Sequence, residues 1–164
     1  MTRRLLALGL AAVMAGCAQP PRAPVQEAGA MASAQWAGRL ALQIESDPPQ
    51  YSSGAFELKG NAAAGELGLF TPLGGTVAVM AWSPGHATLR TANGETRNFE
   101  SLDALVTQAT GTAVPVTALF DWLAGTDTPV PGWQADLSQL PGGRLSARRS
   151  APQPPVQLRV ILDK

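Results

Sequence analysis

The 164-residue chain contains one cysteine, Cys17, and one histidine, His86. A lone cysteine excludes an intramolecular disulfide, so the fold must stand on apolar packing. A lone histidine leaves little for acid–base or nucleophilic chemistry. No Ser-His-Asp set can be drawn without His86, which follows a Pro84-Gly85 turn, and no nucleophile-elbow glycine pattern occurs. Clusters of Cys, His or carboxylate at metal-ligand spacing are missing, and so is a Walker-type phosphate loop. Neither charge sign is in excess, with 12 basic and 12 acidic residues, which removes the general case for nucleic acid. No apolar run approaches the roughly 20 residues of a spanning helix. These absences argue against an enzyme and against any metal or cofactor.

The positive signals begin at the N-terminus. Thr2-Arg3-Arg4 is a basic segment, Leu5 to Val13 an apolar one, and Ala15-Gly16 place small residues directly before Cys17. That order reads as a secretory signal over residues 1–16, cleaved at a thiol. Met14-Ala15-Gly16-Cys17 resembles the lipobox of bacterial lipoproteins, with Met14 where leucine is commoner. The resemblance implies a diacylglyceryl and an N-acyl group on Cys17. Three acyl chains hold firmly where one holds marginally. Loss of Arg3 and Arg4 leaves 10 basic residues against 12 acidic, a formal charge near −2. Ala18 follows the cysteine, not the Asp that favours inner-membrane retention in enterobacterial lipoproteins. The outer membrane, periplasmic face, is therefore the expected address. Residues 17–34, with Pro20, Pro21 and Pro24, read as the lipidated N-terminus and a flexible tether.

From residue 35 the period is two. Trp36, Leu40, Leu42 and Ile44 share one face while Arg39, Gln43 and Glu45 share the other. Strands are expected over 35–46, 53–59, 66–70, 76–82, 86–91 and 95–99, separated by Gly, Pro and Asn turns. Asn93-Gly94 suggests a tight hairpin in which both residues take positive φ. The strand over 76–82 is apolar on both faces. The period then changes. Ser101 is a candidate N-cap with Asp103 in the first turn, Leu102, Leu105 and Val106 form a helical stripe, and Gly111 ends it. Pro115 opens a second helix whose apolar face is Val116, Leu119, Phe120 and Leu123. Three further strands are expected, over 133–137, 143–150 and 156–162. About nine strands and two short helices, with no repeat, predict one mainly β domain over 35–164: an antiparallel curved sheet covered by helices.

One turn breaks the usual chemistry. Phe70-Thr71-Pro72-Leu73-Gly74-Gly75 carries no charge and sets Leu73 at its tip. Leu73 could fold back onto the core, or it could project as an apolar probe. Burying one leucine in lipid is worth about 1.5–3 kcal/mol, enough to bias an orientation but not to anchor a protein.

Trp36 to Leu42, Phe70 to Gly74, Ala118-Leu119-Phe120-Asp121-Trp122-Leu123-Ala124-Gly125 and the lipobox together resemble the LolB family of outer-membrane lipoproteins. The likeness runs from about Trp36 to Leu162. Nine strands are counted where the family has eleven. The resemblance implies an unclosed antiparallel β-barrel with a helical lid over an apolar cavity. It implies a monomer that takes lipoproteins from the soluble periplasmic carrier LolA and releases them into outer-membrane phospholipid. Leu73 matches the family's protruding leucine, with Phe70, Pro72 and Gly74 as the rest of the insertion loop. Alternation assigns the acyl-chain cavity to Leu40, Leu42, Ile44, Phe56, Leu58, Leu67, Leu69, Val77, Val79 and Leu89. The lid face is Leu102, Leu105, Val106, Leu119, Phe120 and Leu123. A hollow left open by the protein's own side chains is expected between the two. The alternative is a structural or ligand-binding lipoprotein without transfer activity. Arg144, Arg148, Arg149 and Arg159 are expected on a solvated strand face, or on a docking surface for an acidic carrier rim or for lipid headgroups.

Overall fold

The computed structural model describes residues 34–164. Cys17, the signal over 1–16 and all of the tether but Ala34 lie outside the described residues. Nine strands and two helices follow in order: β1 (Ala34–Ile44), β2 (Gln50–Gly60), β3 (Gly65–Phe70), β4 (Thr76–Ser83), β5 (His86–Thr91), β6 (Thr96–Phe99), α1 (Leu102–Thr110), α2 (Val116–Leu123), β7 (Trp133–Asp136), β8 (Arg144–Arg149) and β9 (Val156–Leu162). The strands form one sheet in the order β6-β5-β4-β3-β2-β1-β9-β8-β7, every pair antiparallel. β6 and β7 are its two edges, so the barrel stays unclosed. The C-terminal strand β9 inserts beside β1, which places the first and last described strands next to each other in the interior of the sheet.

Residues directly opposite across an antiparallel pair share a face. Registers therefore sort the side chains into rows. The inner row Trp36, Leu58, Leu67, Met80 and Leu89 crosses five strands. The outer row Arg144, Ile161, Arg39, Ala55 and Phe70 crosses β8, β9, β1, β2 and β3. The inner rows join α1 and α2 in a single apolar core.

α1 forms where local signals agree. Ser101 Oγ accepts from Ala104 N at 3.1 Å, Asp103 sits in the positive first turn, and Gly111 at φ 73 caps the end by donating its N–H to Thr107 O. α2 starts after Pro115 with no side-chain cap bond, and packing of its buried face stabilises it instead.

Two expectations change. Val77 and Val79 alternate with Ala78 and Met80, and Val79 lies opposite Gly68 and Arg90 on the outer face. Val77 is 46% exposed. β4 is apolar on both sides, so alternation alone could not choose the inward face, which belongs to Ala78, Met80 and Trp82. The second change is in the Asn93-Gly94 hairpin. Only Gly94 has positive φ, at 83°, and no described non-glycine residue does. Gly94 N donates to Thr91 O at 2.9 Å, so the turn is a type I turn followed by a left-handed glycine.

Candidate functional site: a covered apolar face and an exposed leucine

The helices lie across the inner face of the sheet. Of the proposed cavity residues, Leu42, Ile44, Phe56, Leu58, Leu67 and Leu89 are buried, and Leu40 and Leu69 pack against them half-buried. All six lid residues, Leu102, Leu105, Val106, Leu119, Phe120 and Leu123, are buried in the same core. Phe120 is the hub of the contact. Its ring meets Trp36 edge-on at 5.7 Å and Trp82 at 6.0 Å between centroids. Edge-to-face pairs of this kind add about 0.5–1.5 kcal/mol to the area they bury. Trp36, Met80 and Trp82 were not assigned to the cavity from sequence; the alternation of β1 could have found Trp36, whereas β4, apolar on both sides, offers no such signal for Met80 and Trp82.

The expected open hollow is closed here. Leu58 and Leu105 are fully buried, Trp122 is 1% exposed, and these side chains occupy the space between sheet and helices. Two concavities of about 350 Å³ each open instead on the outer face, one by Tyr51, Ser53 and Arg159, the other by Ala55, Phe70 and Pro72. The alternation of apolar residues reports which side chains face inward, not how far apart the layers stand. An open apolar hollow would expose greasy surface to water at about 25 cal/mol per Å², so helices free to settle onto the sheet do so.

The loop between β3 and β4 is ordered by its own hydrogen bonds. Gly74 N donates to Thr71 O at 2.9 Å, Thr71 N to Gly75 O at 2.8 Å, and Gly75 N to Thr71 Oγ1 at 3.0 Å. Pro72 sets the second position of the turn, and Gly74, at φ 83, supplies the left-handed residue. On this frame Leu73 stands 99% exposed. It does not fold back onto the core. Phe70 behaves differently: it is half-buried, and its ring lies over the outer side of Gly68, where an added Cβ would meet Cζ at 2.7 Å. Phe70 therefore braces the base of the loop, while Pro72, Leu73 and Gly74 are its exposed tip.

Arg149, like Val77 and Val79, lies on the opposite face from the one expected. It is 5% exposed, on the inner side of β8. Its guanidinium donates to Ala113 O, between the two helices, at 3.3 Å, and to Pro154 O at 3.1 Å, and it lies 6.0 Å from the Trp133 ring centroid. Nε has no partner. A basic run such as Ala147-Arg148-Arg149 looks solvated, but strand alternation sends one of its two arginines inward. Lys59 on the outer side of β2 holds Glu57 at 2.7 Å, and that partner pushes its amine up, so it stays charged. Among the described residues no group of three potential metal ligands occurs, and no helix is long and apolar enough to cross a membrane.

Residues 33–153 match the family model described as outer membrane lipoprotein LolB. A Bordetella petrii protein named outer-membrane lipoprotein LolB is 39% identical over 145 residues, covering 85% of this chain and 71% of that protein. Its namesake in Bordetella pertussis is 42% identical over 118 residues, covering 71% and 58%. The Cupriavidus taiwanensis namesake is 29% identical, covering 97% of this chain and 94% of its own length. With the unclosed sheet, the two covering helices and the family match in hand, the chain belongs to the LolB family of outer-membrane lipoproteins.

Proposed function

We propose that this chain, anchored by acyl groups on Cys17, accepts lipoproteins from the periplasmic carrier LolA and inserts them into the inner leaflet of the outer membrane. Residues 17–34 tether the domain formed by 35–164. The acyl chains of the cargo take the place of the helix side chains on the inner face, against Leu40, Leu42, Ile44, Phe56, Leu58, Leu67, Leu69 and Leu89. The lid face of Leu102, Leu105, Val106, Leu119, Phe120 and Leu123 moves off the sheet as they enter.

The energetics make such a cover necessary. Each hydrated methylene costs about 0.8 kcal/mol, so a long acyl chain in water costs roughly 10 kcal/mol. With no nucleotide loop, transfer runs downhill from carrier to this protein to bilayer, and each step of a few kcal/mol gives strong direction. The helices supply a surface that is dry when empty. Their hold on the sheet is the side-chain packing described above plus the Arg149 tie to Ala113 O in the segment between the two helices.

The observation that carries the proposal is Leu73, fully exposed on a hydrogen-bonded turn that has no polar side chain at its tip. The test is transfer from loaded carrier to liposomes. Leu73→Glu keeps cargo acceptance and loses release; normal release by that variant overturns the assignment.

The filled interior favours a second reading, a structural or ligand-binding lipoprotein whose helices never leave the sheet. Photo-crosslinkers at positions 67 and 89 separate the two. Crosslinks to cargo acyl chains support transfer, and their absence in the presence of loaded carrier supports the static reading.

A further inference from the structure

The outer face of β8, β9, β1 and β2 has a composition that the transfer proposal does not use. Of the large apolar residues exposed in the structure, Ile161 (51%) and Tyr51 (70%) stand on this face, and Val77 and Leu73 continue it across β3 and β4. Basic residues surround them. Arg39 and Arg144 flank Ile161 directly across its two neighbouring strands, and Arg159 lies two residues along β9 from it. All three are exposed, and among the described residues none of them makes an ion pair. Arg159 Nη2 donates only to Gln157 Oε1 at 3.1 Å. The nearby acids Glu45 and Glu57 are paired with Arg148 and Lys59, which leaves Asp163 and, at the β7 end of the row through Ser146 and Arg159, Asp136 against three free guanidiniums. Arg159 also lines the concavity bordered by Tyr51 and Ser53.

The row through Arg144, Ile161 and Arg39 ends on Phe70, the base of the Leu73 loop. Strands lie about 4.8 Å apart, so Arg39 is about 10 Å from Phe70 and Arg144 about 19 Å. The basic face and the apolar tip are one continuous surface. Arginine with isolated tyrosine and isoleucine is interfacial chemistry: guanidinium forks bind phosphate bidentately while the apolar side chains sit at the headgroup level.

We infer that the outer face of β8, β9, β1 and β2 binds the phosphate groups of anionic phospholipids through Arg39, Arg144 and Arg159, and lays this side of the sheet along the membrane beside the Leu73 loop. It rests on the reading of that loop as lipid-facing, but not on cargo transfer.

The test uses the full chain carrying Cys17→Ala, which has no acyl anchor. Binding is measured to vesicles of phosphatidylcholine alone and of phosphatidylcholine mixed with phosphatidylglycerol, from about 0.05 to 0.5 M salt. Each arginine near an anionic surface contributes about fivefold, so Arg39→Gln, Arg144→Gln and Arg159→Gln together lose about a hundredfold in binding to the anionic vesicles. The three Arg→Lys replacements keep the charge attraction and lose only what the bidentate fork adds, so they bind more tightly than the triple Gln variant, which separates charge from misfolding. Leu73→Glu weakens binding to both vesicle types and leaves the anionic preference in place. Equal binding of the parent to both vesicle types overturns the inference, as does unchanged anionic binding of the triple Gln variant. Loss of binding to purified carrier protein by the triple Gln variant, with vesicle binding intact, also overturns it and assigns the face to a protein partner.

Discussion

Two neighbouring turns have the same backbone and opposite chemistry. In Thr71-Pro72-Leu73-Gly74-Gly75, Gly74 N donates to Thr71 O at 2.9 Å and Thr71 N to Gly75 O at 2.8 Å. In Thr91-Ala92-Asn93-Gly94-Glu95, Gly94 N donates to Thr91 O at 2.9 Å and Thr91 N to Glu95 O at 3.0 Å. Gly74 and Gly94 share a φ of 83°. Ala92 N donates to Val77 O at 3.0 Å, which ties the two hairpins together at one end of the sheet. The tips differ. Asn93 Oδ1 accepts from Glu95 N at 3.1 Å and from the Thr91 hydroxyl, so its side chain completes its turn. Leu73 completes nothing and faces solvent. The turn geometry does not require a leucine, because the adjacent hairpin makes the same turn with an asparagine. The apolar side chain is there for something outside the fold.

The pair can be broken in function first. Leu73→Asn transplants the neighbouring tip. It removes burial worth about 1.5–3 kcal/mol in lipid, so release into liposomes falls at least tenfold while cargo acceptance persists. Unaltered release would make the two tips equivalent. The pair can next be sharpened at its glycines. An added Cβ at Gly74 or at Gly94 meets nothing within 4 Å, so Gly→Ala at either site bears only the left-handed backbone penalty of about 1–2 kcal/mol. Denaturant melts of Gly74→Ala and Gly94→Ala are expected to agree within about 0.5 kcal/mol; a larger gap would mean that the turns are not equivalent. The smallest effect is Asn93→Leu, which gives up exposed side-chain hydrogen bonds and costs about 0.5–1 kcal/mol in the same melts.

Much of the architecture was legible because its signals are local. The β1 alternation from Trp36 to Ile44, the Ser101 cap, the Gly111 stop and the Pro115 restart each act within a few residues, and all nine strands and both helices appear in the expected order. The misreadings have a different cause. Val77 and Val79 sit in a strand apolar on both sides, and its inward face is set by pairing with Leu67 and Leu69 at long range. Arg149 is buried because a carbonyl 36 residues away and a tryptophan on β7 meet it, which no run of basic residues announces. Asn93-Gly94 could close as either of two hairpins, and the pairing of β5 with β6 selects the one with a single left-handed residue. The open hollow was misjudged for the same reason: layer separation is a property of whole faces in contact. At the candidate site, the loop was legible as an anomaly, but the exposure of Leu73 depended on Thr71 and Gly75 closing the turn beneath it.

The contrast between the two tips can be read directly in a membrane. In the full chain carrying Cys17→Ala, Leu73→Cys and Asn93→Cys each place a single thiol for an environment-sensitive fluorophore, and vesicles containing phosphatidylglycerol are then added. We predict a blue-shifted, lipid-quenchable signal at position 73 and an aqueous one at position 93. Identical aqueous signals at both positions would contradict a membrane-inserting role for the Leu73 turn.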